Sequence, residues 1–255
     1  MLYYFKGCDF WMNSISFKNL DITINKGELI GIIGQNGCGK TIFLKMISGR
    51  IKNDYFYIDK KSINSYDLNY KRNNIVCVFD DNIYNTNSVK DELKYYLNIL
   101  NINFNRVNDF IEYFNLYDLI DNKFDNMTIE NRIYIKILSL LIINPSIFCI
   151  DDLLCYLSID KKMRILNYIK ENDITLLNVT SDMEELILYD KILIMNKGKK
   201  EVFDKTENVL NNEIIFRELG LSLPFIYDIN NMLISYDLIK ENHYNDKDLV
   251  DLLWK

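Results

Sequence analysis

The stretch Gly34-Gln35-Asn36-Gly37-Cys38-Gly39-Lys40-Thr41 fits the pattern G-x-x-x-x-G-K-[ST], and its residue types state what such a segment can hold. Glycines let successive backbone N–H groups turn inward around phosphate oxygens, and a helix that follows adds the positive end of its dipole. The Lys40 ammonium then reaches the outer phosphates, and the Thr41 hydroxyl is a hard oxygen ligand suited to Mg²⁺. The segment from Gly34 to Ile42 is the candidate phosphate cradle. Further along, Ile147-Phe148-Cys149-Ile150-Asp151-Asp152 places four apolar residues ahead of two carboxylates. An acid at the end of a buried strand beside a phosphate loop can hold Mg²⁺, which makes Asp151 a candidate metal residue. Read alone, the pair could also be a strand ending in a solvated acidic turn.

A phosphate loop works only between a strand and a helix, and the flanking sequence supplies both. Ile15–Ile24 alternates and ends at the turn Asn25-Lys26-Gly27, and Glu28–Ile33 is a short apolar run of the kind that forms a buried parallel strand. Lys40–Arg50 sets Phe43, Leu44 and Ile47 at helical spacing, and Ile75–Phe79 reads as another buried strand. Between Ser88 and about Ile143 the texture becomes helical, with amphipathic runs at Val89–Ile99, Val107–Ile120 and Ile129–Ile143. After Pro145 the alternation resumes: strand Ser146–Ile150, helix Lys161–Glu171, strand Ile174–Thr180, helix Asp182–Leu188, and a hairpin pairing Lys191–Met195 with Lys200–Phe203. The pattern predicts a parallel sheet with helices on both faces. Beyond Asn211, helices are expected at Glu213–Leu219, Phe225–Tyr236 and Asp246–Trp254, broken at Leu223-Pro224.

Bulk properties exclude several functions. With 255 residues and 49% hydrophobic content, the chain can bury a full α/β core. A net charge of -6 with scattered lysines lacks the basic footprint of a nucleic-acid binder, so no nucleic acid is expected as a partner. The most apolar stretch, Ile137–Ile150, is interrupted by Asn144-Pro145 and falls short of the roughly 20 residues that span a bilayer. The aromatic opening Met1–Trp11 does not read as a signal peptide. Cys8, Cys38, Cys77, Cys149 and Cys155 show neither CxxC nor metal-ligand spacing, which fits reduced thiols in a cytosol.

Phe17-Lys18-Asn19-Leu20-Asp21-Ile22-Thr23-Ile24-Asn25-Lys26-Gly27-Glu28, leading into the phosphate loop, and Ile194-Met195-Asn196-Lys197-Gly198 resemble segments of ATPase domains of the ABC type, a likeness that covers nearly the whole chain. Leu219-Gly220-Leu221-Ser222-Leu223-Pro224-Phe225 and Asp246–Trp254 are similar to the C-terminal extension of energy-coupling-factor transporter ATPases. The resemblance implies an α/β P-loop NTPase fold with a parallel core sheet. It divides the chain into an ABC ATP-binding domain at 1–212, with a helical subdomain at about 84–143, and a C-terminal dimerisation extension at 213–255. It further implies ATP and Mg²⁺ as cofactors, and two ATPase subunits, in a hetero- or homodimer, sandwiching each ATP between the phosphate loop of one chain and the LSGGQ segment of the other. Such a dimer sits at the cytoplasmic face of the cell membrane, under a transmembrane coupling protein that engages a substrate-binding membrane subunit.

Several positions depart from that family. Aligning back from Arg132 sets Asp125-Asn126-Met127-Thr128-Ile129 at LSGGQ, so both glycines are replaced, Met127 puts a side chain where backbone should approach phosphate, and Asp125 and Glu130 add negative charge. The glutamine after strand Ile75–Phe79 becomes Asp80, which gives Thr41, Asp151 and Asp80 as the metal residues the resemblance implies. The catalytic glutamate is Asp152, the aspartate of the dimer-contact loop is Ser158, and the switch histidine is Ser181. The single histidine, His243, falls in the extension. Ser181-Asp182-Met183-Glu184 also fits a capping box, which favours Ser181 as a helix start over a contact with nucleotide. Phe5 or Phe10 stands near the place of the adenine-stacking side chain, with core or dimer packing an equal alternative. The expectation is an ATP-binding subunit of an energy-coupling-factor-like importer, the weakly catalytic member of a heterodimer. A non-hydrolysing structural or regulatory subunit is the alternative, while a soluble ABC protein of translation or repair is disfavoured by the single phosphate loop and the lack of sustained heptads.

Overall fold

The computed structural model describes residues 2–12, 15–80, 84–103 and 105–239, so His243 and the expected helix at Asp246–Trp254 lie outside the described residues. Strands β1 (Leu2–Met12) and β2 (Ile15–Asn25) pair antiparallel. The aromatic opening segment is therefore a strand, with Tyr3, Phe5 and Cys8 buried. β3 (Leu29–Ile33) is buried at every position, as a central parallel strand demands, and runs through the glycine loop into α1 (Lys40–Ile47). The short strands β4 (Phe56–Ile58) and β5 (Lys61–Ser62) follow, then α2 (Leu68–Asn74), capped by the Asp67 side chain, and β6 (Ile75–Val78).

Helices α3 (Val89–Ile99), α4 (Arg106–Phe114) and α5 (Ile129–Leu141) come next. α4 is shorter than the expected Val107–Ile120, because Asn115 turns left-handed at φ 51 and its N–H closes on Glu112 O at 3.1 Å. The remainder comprises β7 (Ile147–Asp151), α6 (Ile159–Glu171), β8 (Thr175–Val179), the hairpin β9 (Lys191–Asn196) and β10 (Lys199–Lys205), and α7 (Thr206–Leu210), α8 (Glu213–Glu218) and α9 (Phe225–Ser235).

Among the described residues the main sheet has the order β10-β9-β3-β8-β7-β6, parallel except for β10 at its edge. A second, antiparallel sheet, β2-β1-β4-β5, adds to the parallel architecture expected from sequence. The main sheet separates two cores. Phe148, Ile150 and Leu176 face the helices α3–α6, while Ile147, Cys149 and Leu177 face α1 and the antiparallel sheet. Burial on both faces explains the unbroken apolar runs, since each fully buried Leu, Ile or Phe contributes about 1.5–3 kcal/mol. Phe216, Leu223, Ile226 and Tyr227 join the helix-side core, which seats α8 and α9 on the body of the fold.

Two glycines separate shape from space. At Gly198, φ 77, an added Cβ would lie 1.9 Å from Ser16 O, whereas at Gly7, φ 54, it would meet nothing within 4 Å. Gly198→Ala is expected to cost more than about 2 kcal/mol, because clash adds to the left-handed penalty, and Gly7→Ala about 1 kcal/mol. Urea unfolding of the two variants checks the order; equal costs would contradict the close approach at Gly198.

Candidate nucleotide site

The glycine loop is pinned from behind. Gly34 has φ 147, and a Cβ there would stand 2.0 Å from Met195 O, so no larger residue could let the loop pass this close to β9. The Cys38 N–H donates to Gln35 O at 3.2 Å and the Gly198 N–H to Cys38 O at 3.0 Å, which ties the loop to the β9–β10 turn. Gly39 precedes α1 at φ 109 with no side-chain cap, and the first turn of the helix carries no acid. The positive end of α1 thus faces outward, ready for an anion. Lys40 Nζ donates to Gly34 O at 2.6 Å and Gln35 O at 3.1 Å, so its ammonium arches over the loop.

A cavity of about 330 Å³ opens above this loop. Its walls bring together Asn36, Gly37, Gly39, Lys40, Thr41 and Ile42 with Asp80 beyond β6 and with Asp151 and Asp152 at the end of β7. Gly34, Gln35 and Cys38 support the loop from outside that lining. Burial pushes the Asp151 carboxyl above the usual carboxylate range, Asp152 adds to the rise, and the Thr41 hydroxyl with Lys45 and Lys40 pull it back. A hydroxyl bonded to a half-buried carboxylate is a hard-oxygen pair that fits Mg²⁺. Among the described residues no trio of His, Cys, Asp or Glu suits a metal, so a cation here would complete its shell with phosphate oxygens and water.

Asp152 takes a left-handed backbone, φ 56, and its N–H donates to Val179 O at 2.9 Å. Its Oδ1 accepts two hydrogen bonds from one residue, the Ser181 N–H at 2.7 Å and the Ser181 hydroxyl at 2.8 Å. The capping box expected at Ser181 is not formed. Asp182 is the cap, accepting from the Glu184 N–H at 3.1 Å, and the element it starts is a 3₁₀ turn, Met183–Leu188, rather than an α-helix. Ser181 is drawn to Asp152, a partner remote in sequence that local pattern cannot reveal. Beneath it, Lys162 of α6 pairs with Asp182 at 3.2 Å and Glu185 at 2.8 Å.

The segment matched to LSGGQ also differs from expectation. Met127 is buried in the helix-side core, so its side chain does not stand where phosphate would approach. Thr128 caps α5, its Oγ1 accepting from the Asn131 N–H at 3.2 Å. A buried apolar residue followed by a hydroxyl cap has the chemistry of Leu-Ser, which moves the register on by two and sets Ile129, Glu130 and Asn131 against Gly-Gly-Gln. Both glycines are still replaced. The Glu130 carboxylate accepts from the Ser158 N–H at 2.9 Å and lies 3.1 Å from Lys161 Nζ, contacts that hold it below the usual carboxylate range. Arg132 donates back to Met127 O and Asp125 O, both at 3.1 Å.

Phe5 packs between Phe43 and Phe56 and is 2% exposed, which removes it as a base-stacking ring; Phe10 is half-buried beside Phe17. Tyr156, on the cavity wall and 55% exposed, was not singled out by sequence, although its place shortly after the acid pair is a usable signal. Two contacts have no counterpart in the sequence pattern: Gln35, expected only as part of the phosphate loop, donates from Nε2 to Leu219 O at 2.9 Å, and Glu184, expected only as part of a capping box, accepts at Oε1 from the Phe225 N–H at 2.8 Å.

A family model described as ABC transporter matches residues 17–154, more than half of the chain. The chain belongs to the ABC transporter family. Among curated relatives of this ABC chain, the energy-coupling factor transporter ATP-binding protein EcfA1 of Mycoplasmopsis synoviae is 26% identical over 84% of this chain and 85% of the relative. EcfA1 of Mesomycoplasma hyopneumoniae is 25% identical over 96% of this chain and 93% of the relative. Among solved structures, cbiO1 from Clostridium perfringens, part of the ABC transporter complex cbiONQ, superposes with a TM-score of 0.73 at 20% identity, covering 89% of this chain and 97% of that one. The dimeric ATP-binding cassette MJ0796, bound to ADP and Pi, gives 0.69 at 21% identity, covering 80% and 98%. These superpositions show the ABC ATPase fold. Among the described residues no helix is long and apolar enough to cross a membrane.

Proposed function

We propose that this chain is the ATP-binding subunit of an energy-coupling-factor-type importer and the weakly hydrolysing member of a heterodimer. One observation carries the reading: a full phosphate loop shares its cavity with Asp151, while the two residues that replace the catalytic glutamate and the switch histidine, Asp152 and Ser181, are bonded to each other. The names of the curated relatives support the transporter class. In this reading the backbone of Gly34–Ile42 and Lys40 bind and orient the phosphates of ATP, and Thr41 and Asp151, with Asp80 nearby, hold Mg²⁺. Bound there, the cation would neutralise charge on the outer phosphates. Asp152 would orient the attacking water, but from a side chain one methylene short of glutamate.

The partners are a second ABC ATPase, a transmembrane coupling protein and a substrate-binding membrane subunit, which places the chain at the cytoplasmic face of the membrane. Within the chain, residues 1–212 form the ATP-binding domain, about 84–143 its helical subdomain, and 213–255 a dimerisation extension. The mutual engagement of Asp152 and Ser181 also favours a second reading, in which the subunit binds ATP and hydrolyses none. Calorimetric titration of the isolated chain should show saturable MgATP binding with Kd below about 1 mM, the upper end of the range usual for enzyme substrates. Absence of heat and of competition with a fluorescent ATP analogue would sink both readings. Lys40-dependent phosphate release in the assembled complex separates them.

A further inference from the structure

We infer that Ser181 is a positioning residue for Asp152, so that the two substituted positions form one matched unit rather than two independent losses. The inference rests on the reading of the cavity as an ATPase site.

The scaffold for the pair is rigid. β7 and β8 are neighbouring parallel strands with Asp151 in register with Val179, so Asp152 and Ser181 leave adjacent strand ends on the same edge of the sheet. The Asp152 N–H is fixed on Val179 O at 2.9 Å, and the backbone at φ 56 turns its side chain toward Ser181. Two donors of one residue, backbone at 2.7 Å and hydroxyl at 2.8 Å, then converge on a single oxygen, Oδ1. A carboxylate gripped through one oxygen keeps the other for the cavity it lines. The short acid and the short hydroxyl are complementary: a glutamate would carry the carboxylate past both donors, and an alanine at 181 would leave Oδ1 with the backbone donor and the weak, distant Cys155 thiol at 3.9 Å. Hydrogen bonds to a charged group are strong enough that losing the hydroxyl should cost about tenfold in a rate that depends on the carboxylate's orientation.

The test uses the purified full chain and steady-state phosphate release at saturating MgATP, with the Lys40→Ala rate subtracted. Ser181→Ala should lower kcat about tenfold and leave KM within about twofold, and Ser181→Thr, which retains a hydroxyl, should recover most of that loss. In an Asp152→Ala background, Ser181→Ala should have no further effect. A tenfold loss that persists without the Asp152 carboxylate, or an unchanged kcat in the native background, overturns the inference. If the chain alone shows no Lys40-dependent release, the weak-hydrolysis reading is decided in the assembled complex, and the pair is decided by amide hydrogen exchange instead. The Ser181 N–H should then exchange about tenfold faster in Asp152→Ala than in the native chain, and equal exchange would refute the contact.

Discussion

Alone in solution, the chain is expected to release phosphate from ATP at least a hundredfold more slowly than the ~10 s⁻¹ typical of enzymes. Two independent shortfalls lead there. In the half-site on its own phosphate loop, the acid is one methylene short, and a misplacement of about 1 Å can cost about a hundredfold. In the opposing half, a second copy would present the N-terminus of α5 with Ile129 and Glu130 in place of glycines, and Glu130 is bound to Ser158 and Lys161 of its own chain. Missing preorganised donors at a γ-phosphate cost about 2.7–4 kcal/mol each, by analogy with oxyanion holes. In a heterodimer whose partner supplies an intact LSGGQ, the joint repair Asp152→Glu with Ser181→His should raise turnover at this chain's site by about tenfold or more. Phosphate release from the purified protein, with Lys40→Ala as the contamination control, checks the first statement. A Lys40-dependent rate near ~10 s⁻¹ without any partner would show that these substitutions do not matter.

Lys40→Ala should weaken MgATP binding by about a hundredfold while the loop stays folded. The ammonium already sits over the loop, held by Gly34 O and Gln35 O, and its charged hydrogen bonds to phosphate oxygens are worth about 1.5–3 kcal/mol each. The loop itself is fixed by contacts that do not involve Lys40: Gly198 on Cys38, and the close pass of Gly34 against Met195. Thermal unfolding should therefore shift little. Calorimetry on both proteins is decisive, since an unchanged Kd would place the nucleotide elsewhere.

Features bound to local pattern were legible in sequence, and features that depend on distant partners were not. The glycine loop, its flanking strand and helix, and Asp151 are local patterns, and the structure gathers them in one cavity. β1 escaped notice because bulges between Phe5 and Cys8 and between Cys8 and Phe10 break its alternation, and β4 and β5 are too short to show a period. Ser181 was misread because S-x-x-E is a sound local signal for a cap, yet a carboxylate 29 residues away offers both of its donors a stronger acceptor. Met127 was misplaced because the register was counted from an arginine rather than from the buried residue and cap that begin α5.

The bonds from Gln35 to Leu219 and from Phe225 to Glu184 bolt one short stretch of chain to the phosphate loop and to the 3₁₀ turn Met183–Leu188 that follows Ser181. Leu221 and Leu223 between those bolts pack on the core, so the stretch has no slack to absorb a displacement. The phosphate loop and the turn after Ser181, far apart in sequence, are thus tied to the same strap.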